Sequence, residues 1–111
     1  MSEELTHKLI YVAGPYRAGH GRTVQDNIEN ARKAAVALWQ AGHTVICPHL
    51  NTAGMDGVIP DDEFIVRDLL IVARCDALYM LKAWRDSKGA CIERKYAIGK
   101  GIPIHYEEID E

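Results

Sequence analysis

The chain has 111 residues, a formal net charge of −3 and a hydrophobic fraction of 48%. This length leaves room for one core, so we expect residues 1–111 to form a single domain. The negative net charge excludes a general nucleic-acid binder, which needs a basic surface. The apolar runs are too short to span a membrane and the N-terminus lacks a signal-peptide pattern, so we expect a cytoplasmic protein.

The first half of the chain predicts a strand followed by a helix. Leu9 to Ala13 is a continuous apolar run, typical of a strand buried on both faces, and Gly14-Pro15 ends it. Thr23 and Asp26 have the spacing of a capping box, and Gly42 has the place of a helix-ending glycine. The sequence therefore predicts a helix between Thr23 and Gly42.

The rest of the chain continues this alternation of strands and helices. After a short strand at His43 to Cys47, Pro48 to Pro60 is predicted to be a loop, which at that length is usually functional or mobile. Three acids at Asp61 to Glu63 favour the start of a helix, which we expect to reach Arg74. The remaining predicted elements are a strand at Asp76 to Leu81, a helix at Ser87 to Lys100 and a strand at Ile102 to Tyr106.

This order predicts an α/β fold, a doubly wound Rossmann- or flavodoxin-like domain. We expect a four-stranded parallel sheet of strand order 2-1-3-4 with helices on both faces. Ligands of such sheets bind beyond the carboxyl ends of the strands where the winding reverses, here between strands one and three. That rule selects two loops, Gly14 to Arg22 and Lys82 to Ser87. Basic residues should converge there, namely Arg17, His20, Arg22, Lys82, Arg85 and Lys88.

Glu93 is the first candidate for a chemical role. It falls in the second turn of the third predicted helix, and Ala90 and Ala97 share its face and leave space beside the carboxylate. The carboxylate could act as a nucleophile or general base, with nearby basic groups holding it ionised. The alternative is an ordinary solvated helix glutamate.

Asp68 is the second candidate, because it interrupts the apolar face of the second predicted helix. Partial desolvation should raise its pKa and suit it to hold or donate a proton. The alternative is an aspartate at the edge of the core that bonds a backbone amide.

An anion site is the third candidate feature. Ser87 and Gly89 begin a helix at the expected ligand edge, where free amides and the helix dipole favour an anion, although an ordinary N-cap has the same pattern. The loop from Gly14 to Arg22 is glycine-rich but matches neither dinucleotide-binding nor P-loop spacing, so its phosphate signal is weak. Tyr16 and Arg17 in that loop could hold a sugar and an anion.

The histidines, cysteines and tryptophans carry weaker signals. His43 and Cys47-Pro48-His49 lack the paired spacing of a zinc site, so we predict no metal, while His49 is a candidate substrate contact. The cysteines form no Cys-x-x-Cys pair and are expected to be reduced core residues. Trp39 and Trp84 are interpreted as packing or interface residues, with Trp84 close enough to the anion site to line a pocket.

A set of motifs resembles the nucleoside 2-deoxyribosyltransferase-like superfamily, which includes nucleoside 5′-monophosphate N-glycosidases. The resemblance is closest to a small branch with the pattern Trp-x-x-Ser-x-Gly-Ala-x-x-Glu. The matching residues are Tyr11-Val12-Ala13-Gly14-Pro15-Tyr16, Pro48-His49-Leu50-Asn51, Asp68, Asp76 and Trp84 to Glu93.

The resemblance implies both a reaction and roles. Glu93 would attack the anomeric carbon, Asp68 would assist in acid/base work on the leaving base, and Tyr16 would orient Glu93. The reaction would be N-glycosidic cleavage of nucleoside or deoxynucleoside 5′-monophosphates, or 2-deoxyribosyl base exchange, through a covalent glycosyl-Glu93 intermediate. Cleavage of an N-glycosidic bond passes through an oxocarbenium-like state, which a carboxylate can stabilise and then capture. No metal or organic cofactor is implied.

The resemblance also bears on the substrate and on assembly. Ser87 stands where transferases of the superfamily commonly carry an aspartate, and where the monophosphate hydrolases carry a serine that helps bind the 5′-phosphate. This favours a nucleotide over a nucleoside. A homodimer is implied, with the first two predicted helices as its surfaces. The expected substrate-binding residues are Gly14, Arg17, Gly19, His49, Ser87 and Gly89.

Two other interpretations stay open. A non-catalytic nucleotide sensor on the same scaffold would keep the anion site without turnover. A phospho-receiver domain is disfavoured, because strand one ends in Gly-Pro-Tyr rather than an acidic pair and strand three lacks a terminal acceptor aspartate. In the favoured interpretation the partner is a small nucleoside or nucleotide, not a nucleic acid polymer or a membrane.

Overall fold

The computed structural model describes residues 7–107. The prediction about the N-terminal leader pattern concerns residues outside this range. No helix within residues 7–107 is long and apolar enough to cross a membrane. The elements are β1 (Leu9–Ala13), α1 (Val24–Gln40), β2 (Thr44–Ile46), α2 (Pro48–Asn51), α3 (Asp61–Arg74), β3 (Ala77–Met80), α4 (Lys88–Lys100) and β4 (Ile104–Tyr106).

The four strands form one parallel sheet in the order β2-β1-β3-β4. Tyr11 in β1 lies opposite Ile46 of β2 and Leu78 of β3, and β3 pairs in turn with β4. The predicted α/β fold and strand order are therefore confirmed. Because β1 and β3 are neighbours whose following helices lie on opposite faces, the winding reverses between them.

Alternate side chains of β1 enter two separate core layers. Val12 packs with Ala31 and Ala35 of α1 on one face of the sheet. Tyr11 and Ala13 lie in the layer on the other face, with Val72 of α3 and Ala90 and Ala97 of α4. Successive strand residues point to opposite faces, so a strand buried on both sides reads as a continuous apolar run.

The predicted helix ends are confirmed. Thr23 Oγ1 accepts a hydrogen bond from Asp26 N at 3.0 Å, and Asp26 Oδ2 accepts one from Thr23 N at 2.9 Å. Gly42 follows α1 with a φ of 101°, a left-handed conformation that glycine adopts at little cost. Ser87 Oγ caps α4 by accepting from Ala90 N at 3.0 Å.

Two connections differ from the sequence prediction. Pro48 to Pro60 is not entirely a loop, because α2 occupies its first four residues with Pro48 at the first helical position, where its missing N–H costs nothing. The segment before α4 contains a 3₁₀ turn at Trp84–Asp86 rather than an irregular exit loop. Both short helices alter which side chains can face the ligand edge of the sheet.

Candidate active site

A cavity of about 570 Å³ lies at the carboxyl ends of β1 and β3, where the sheet topology places ligands. Its wall comes from the loop after β1, from α2 and from the first turns of α3 and α4. The lining includes the predicted site residues Gly14, Tyr16, Arg17, Gly19, His49, Asp68, Ser87, Gly89 and Glu93.

Glu93 lies on the floor of this cavity, where only 7% of the residue is exposed. Ala90 and Ala97 are buried on the same helical face, and the Tyr11 hydroxyl donates to Glu93 Oε2 at 2.6 Å. Burial raises the pKa of Glu93 to about 8, against the opposing effect of the Tyr11 hydrogen bond. The prediction that basic groups hold this carboxylate ionised was wrong, because desolvation outweighs every other influence on it.

Asp68 faces the same floor from α3. Burial raises its pKa to about 6, as the sequence predicted in direction, and a hydrogen bond with Tyr11 opposes the rise. The Tyr11 hydroxyl thus interacts with both carboxyls. Burial and the charges of Glu93 and Asp68 raise the pKa of Tyr11 well above its ordinary value, so it stays a hydrogen-bond donor.

Tyr11, and not Tyr16, holds Glu93 in this structure. The Tyr16 hydroxyl instead donates to Asp56 Oδ1 at 3.0 Å, on the far side of the cavity. The expectation that Tyr16 orients Glu93 was therefore wrong, because its hydroxyl bonds to Asp56. A tyrosine inside an apolar strand was the available signal, because a buried phenol hydroxyl needs a hydrogen-bond partner.

His49, in α2, lines the cavity and is 5% exposed. Its Nε2 lies 2.7 Å from the Pro15 carbonyl oxygen. A carbonyl can only accept, so this geometry assigns the proton to Nε2 and leaves Nδ1 as an acceptor. Burial lowers the pKa of His49, which keeps the ring neutral. Within residues 7–107, Nδ1 is buried and has no hydrogen-bond partner.

Asn27 joins the loop after β1 to helix α1, a role the sequence reasoning missed. The residue is 2% exposed, and its Nδ2 donates to the backbone oxygens of Tyr16 at 3.1 Å and Arg17 at 2.9 Å. Its Oδ1 accepts from Arg22 Nε at 3.2 Å. The available signal was a polar residue on the buried face of a helix, three residues after Val24.

Ion pairs close the outer rim of the cavity. Arg22 Nη2 lies 2.9 Å from Asp86 Oδ2, and His20 Nδ1 lies 3.9 Å from Asp86 Oδ1. Arg17 pairs with Asp61 at the start of α3. The hydrogen bond from Arg22 holds the pKa of Asp86 below its ordinary value. We call these five residues the mouth of the cavity, and Tyr11, Asp68 and Glu93 its floor.

The expected convergence of basic residues is correct only in part. Arg17, His20, Arg22 and Lys88 line the cavity, whereas Lys82, Trp84 and Arg85 line a separate groove of about 210 Å³. The Arg85 guanidinium lies 4.6 Å from the centre of the Trp84 ring, a cation–π contact that keeps it from the anion end. Trp84 therefore does not line the main cavity.

The described residues contain no group of three or more His, Cys, Asp or Glu side chains arranged to hold a metal ion. The cysteines are all free thiols. Cys47 and Cys75 are buried, and Cys91 is partly buried.

Residues 8–106 match the model of a family described as a domain of unknown function, DUF4406. The chain belongs to this family. Among solved structures, a 2-deoxyribosyltransferase from the psychrotolerant bacterium Bacillus psychrosaccharolyticus is similar, with a TM-score of 0.66 and 21% sequence identity over 92% of this chain and 77% of that chain. A comparison with curated proteins gives no match. The family member described here thus shares its α/β fold with a 2-deoxyribosyltransferase.

Proposed function

We propose that the protein cleaves the N-glycosidic bond of nucleosides or nucleoside 5′-monophosphates, either as a hydrolase or as a base-exchanging 2-deoxyribosyltransferase. The observation that carries this proposal is the pair of desolvated carboxyls, Glu93 and Asp68, which share the Tyr11 hydroxyl on the cavity floor. The similarity in fold to a 2-deoxyribosyltransferase supports the same class of reaction.

The reaction is a double displacement. The Glu93 carboxylate attacks the anomeric carbon while the bond to the base breaks, its electron pair leaves with the base nitrogen, and the proton of Asp68 goes to the base. Water or a second base then attacks the anomeric carbon of the glycosyl-Glu93 ester and releases the carboxylate. The proton of the incoming nucleophile returns to Asp68.

The two carboxyls of the floor exchange protons near neutral pH, as such a reaction requires. With pKa values of about 8 for Glu93 and about 6 for Asp68, the pair carries one negative charge between these two pH values. The higher pKa of Glu93 leaves the proton on Glu93 and the charge on Asp68 in the free protein. Attack requires the opposite arrangement, so this proton must move from Glu93 to Asp68 before the attack. The Tyr11 hydroxyl, which donates to Glu93, stabilises the charge in that position. We therefore expect a bell-shaped dependence of rate on pH, with limbs near pH 6 and pH 8.

The start of α4 supports a phosphate-bearing substrate. Ser87, Lys88 and Gly89 line the cavity where α4 presents free backbone amides. Glu93 lies six positions after Ser87, which is about 9 Å at 1.5 Å per residue of helix. That separation suits a nucleotide whose 5′-phosphate lies at the helix start and whose anomeric carbon lies at the floor.

The test is release of free base. Purified protein would be incubated with a mixture of ribo- and deoxyribonucleosides and their 5′-monophosphates, and the products separated by chromatography. We expect base release by the wild type and a loss of at least about 10³-fold in Glu93→Gln. Glu63→Gln is the matched control, because Glu63 is an exposed carboxylate of α3 paired with Arg67.

Two outcomes would count against the proposal. The first is a wild-type protein that leaves every nucleoside and nucleotide intact. The second is tight nucleotide binding without base release, little changed by Glu93→Ala, which would favour the non-catalytic sensor. The covalent intermediate would be sought separately, by mass spectrometry of the protein after rapid quenching.

The homodimer stays a prediction. Helix α1 exposes 53% of Trp39, and α3 exposes 63% of Val66 and 67% of Leu70. These apolar side chains lie on the two helices expected to form the interface. Sedimentation of the purified protein would measure the number of subunits.

A further inference from the structure

The best-positioned cation at the mouth is Arg22. Its side chain is only 25% exposed, and its Nε donates to Asn27, itself held by the backbone of the same loop. Its Nη2 is engaged by Asp86 at 2.9 Å. The guanidinium is thus fixed in the cavity wall, and a carboxylate of the chain itself occupies one of its hydrogen-bonding positions.

Asp86 lies next to the expected anion end of the cavity. It is the last residue of the 3₁₀ turn, it directly precedes the helix cap Ser87, and it lines the same cavity. Its second oxygen, Oδ1, faces His20 at 3.9 Å. A phosphate that approached the amides at the start of α4 would meet Arg22 already bound to a negative charge.

A carboxylate and a phosphate monoester compete for the same partner. Both accept hydrogen bonds from the planar fork of a guanidinium, and two anions close together repel each other. The hydrogen bond from Arg22 lowers the pKa of Asp86, so the competing charge is present throughout the neutral pH range. An unphosphorylated nucleoside has no group that requires Arg22 to change partner.

We propose that Asp86 is an internal competitor for the 5′-phosphate and sets the preference between phosphorylated and unphosphorylated nucleosides. Asp86 must leave Arg22 before a phosphate can bind there, which lowers the affinity for nucleotides while leaving that for nucleosides unchanged. This inference takes the class of ligand from the proposed function, but it concerns binding and does not require turnover.

Removing the charge of Asp86 should therefore strengthen nucleotide binding. In Asp86→Asn the amide oxygen can still accept from Arg22, but the repulsion is gone. We expect about twofold to fivefold tighter binding of nucleotides, the range for a partly exposed charge pair, and no change for nucleosides. In Arg22→Gln the gain from Asp86→Asn should be smaller, because Asp86 and the phosphate then no longer compete for the guanidinium and only their repulsion remains.

The experiment is calorimetric titration with the four common deoxynucleoside 5′-monophosphates and their matching nucleosides. All variants carry Glu93→Gln so that no ligand is consumed. Glu63→Gln serves as the charge control, because it removes one negative charge outside the cavity. Melting curves of each variant would show that the fold is retained.

The proposal is overturned if Asp86→Asn changes the affinities for nucleotides and nucleosides equally, if it weakens nucleotide binding, or if its gain is undiminished in the Arg22→Gln background. The proposal would also be overturned if no nucleotide bound to the protein, either with Asp86 intact or with Asp86→Asn. Base release by the protein with an intact Glu93 is measured separately. A gain in nucleotide affinity without base release would support the role of Asp86 and refute the proposed catalysis. Base release without that gain would support the catalysis and refute the role of Asp86.

Discussion

The pKa values of carboxyl groups are raised on the floor of the cavity, whereas that of Asp86 is lowered at its mouth. On the floor, burial raises the pKa of Glu93 to about 8 and that of Asp68 to about 6. At the mouth, the partner Arg22 lowers the pKa of Asp86, which stays ionised. The difference teaches that desolvation makes a carboxyl able to exchange a proton near neutral pH, whereas pairing with arginine gives it a constant charge.

The largest effect should come from Glu93 on the floor. Its folded-state pKa of about 8 exceeds its ordinary value of 4.5, so between these pH values the folded protein binds more protons than the unfolded chain. The free energy of unfolding of the wild type should therefore fall as pH rises through this range. Glu93→Gln removes that loss, and we expect it to be more stable than the wild type by about 3 kcal/mol at pH 8.5.

Urea denaturation at pH 5, 7 and 8.5 would measure this difference. The stability gain of Glu93→Gln should shrink toward pH 5, where Glu93 is protonated in the folded protein and no charge is buried. A gain of the same size at all three pH values would contradict the contrast between floor and mouth.

An intermediate effect is expected at Asn27, which fixes the mouth to helix α1. Asn27→Ala removes hydrogen bonds to the Tyr16 and Arg17 carbonyls and to Arg22. Because the residue is buried, we expect a loss of about 2 kcal/mol in the free energy of unfolding. The matched control is Asn30→Ala on the exposed side of the same helix. Equal losses for the two variants would show that Asn27 does not hold the loop.

The smallest effect should come from the ion pair between Arg17 and Asp61 at the rim. Both side chains are more than half exposed, and such pairs contribute between about 0 and 1 kcal/mol. We expect Asp61→Asn to change the free energy of unfolding by at most about 0.5 kcal/mol, and the change to vanish in 0.5 M salt. A larger, salt-independent loss would show that the mouth, like the floor, contains a desolvated charge.

The fold could be predicted from the sequence because each step rested on a local pattern. The apolar runs, the capping box at Thr23 and the glycine after α1 marked the elements, and the handedness of parallel crossovers fixed the strand order. The cavity then followed from the carboxyl ends of the strands. The same face-sharing rule that placed Glu93 between Ala90 and Ala97 predicted the partly desolvated Asp68.

Contacts between distant parts of the chain could not be predicted in this way. The pairing of Arg22 with Asp86 spans 64 positions, and no local pattern specifies which oxygen a mobile guanidinium will reach. Arg85 was placed at the anion end by its sequence position, but the 3₁₀ turn directs it onto Trp84. Tyr11 was part of a recognised motif, yet its partner depends on which helix covers that face of the sheet.

The hydrogen bond from Tyr11 to Glu93 also has a consequence for when the site forms. It joins the first strand of the sheet to the last helix, across 82 positions of the chain. Closing so long a loop costs more entropy than forming a local turn, and the cost is recovered only when the intervening elements are in place. A chain emerging from the ribosome therefore has no complete floor until α4 has been synthesised and has docked on the sheet.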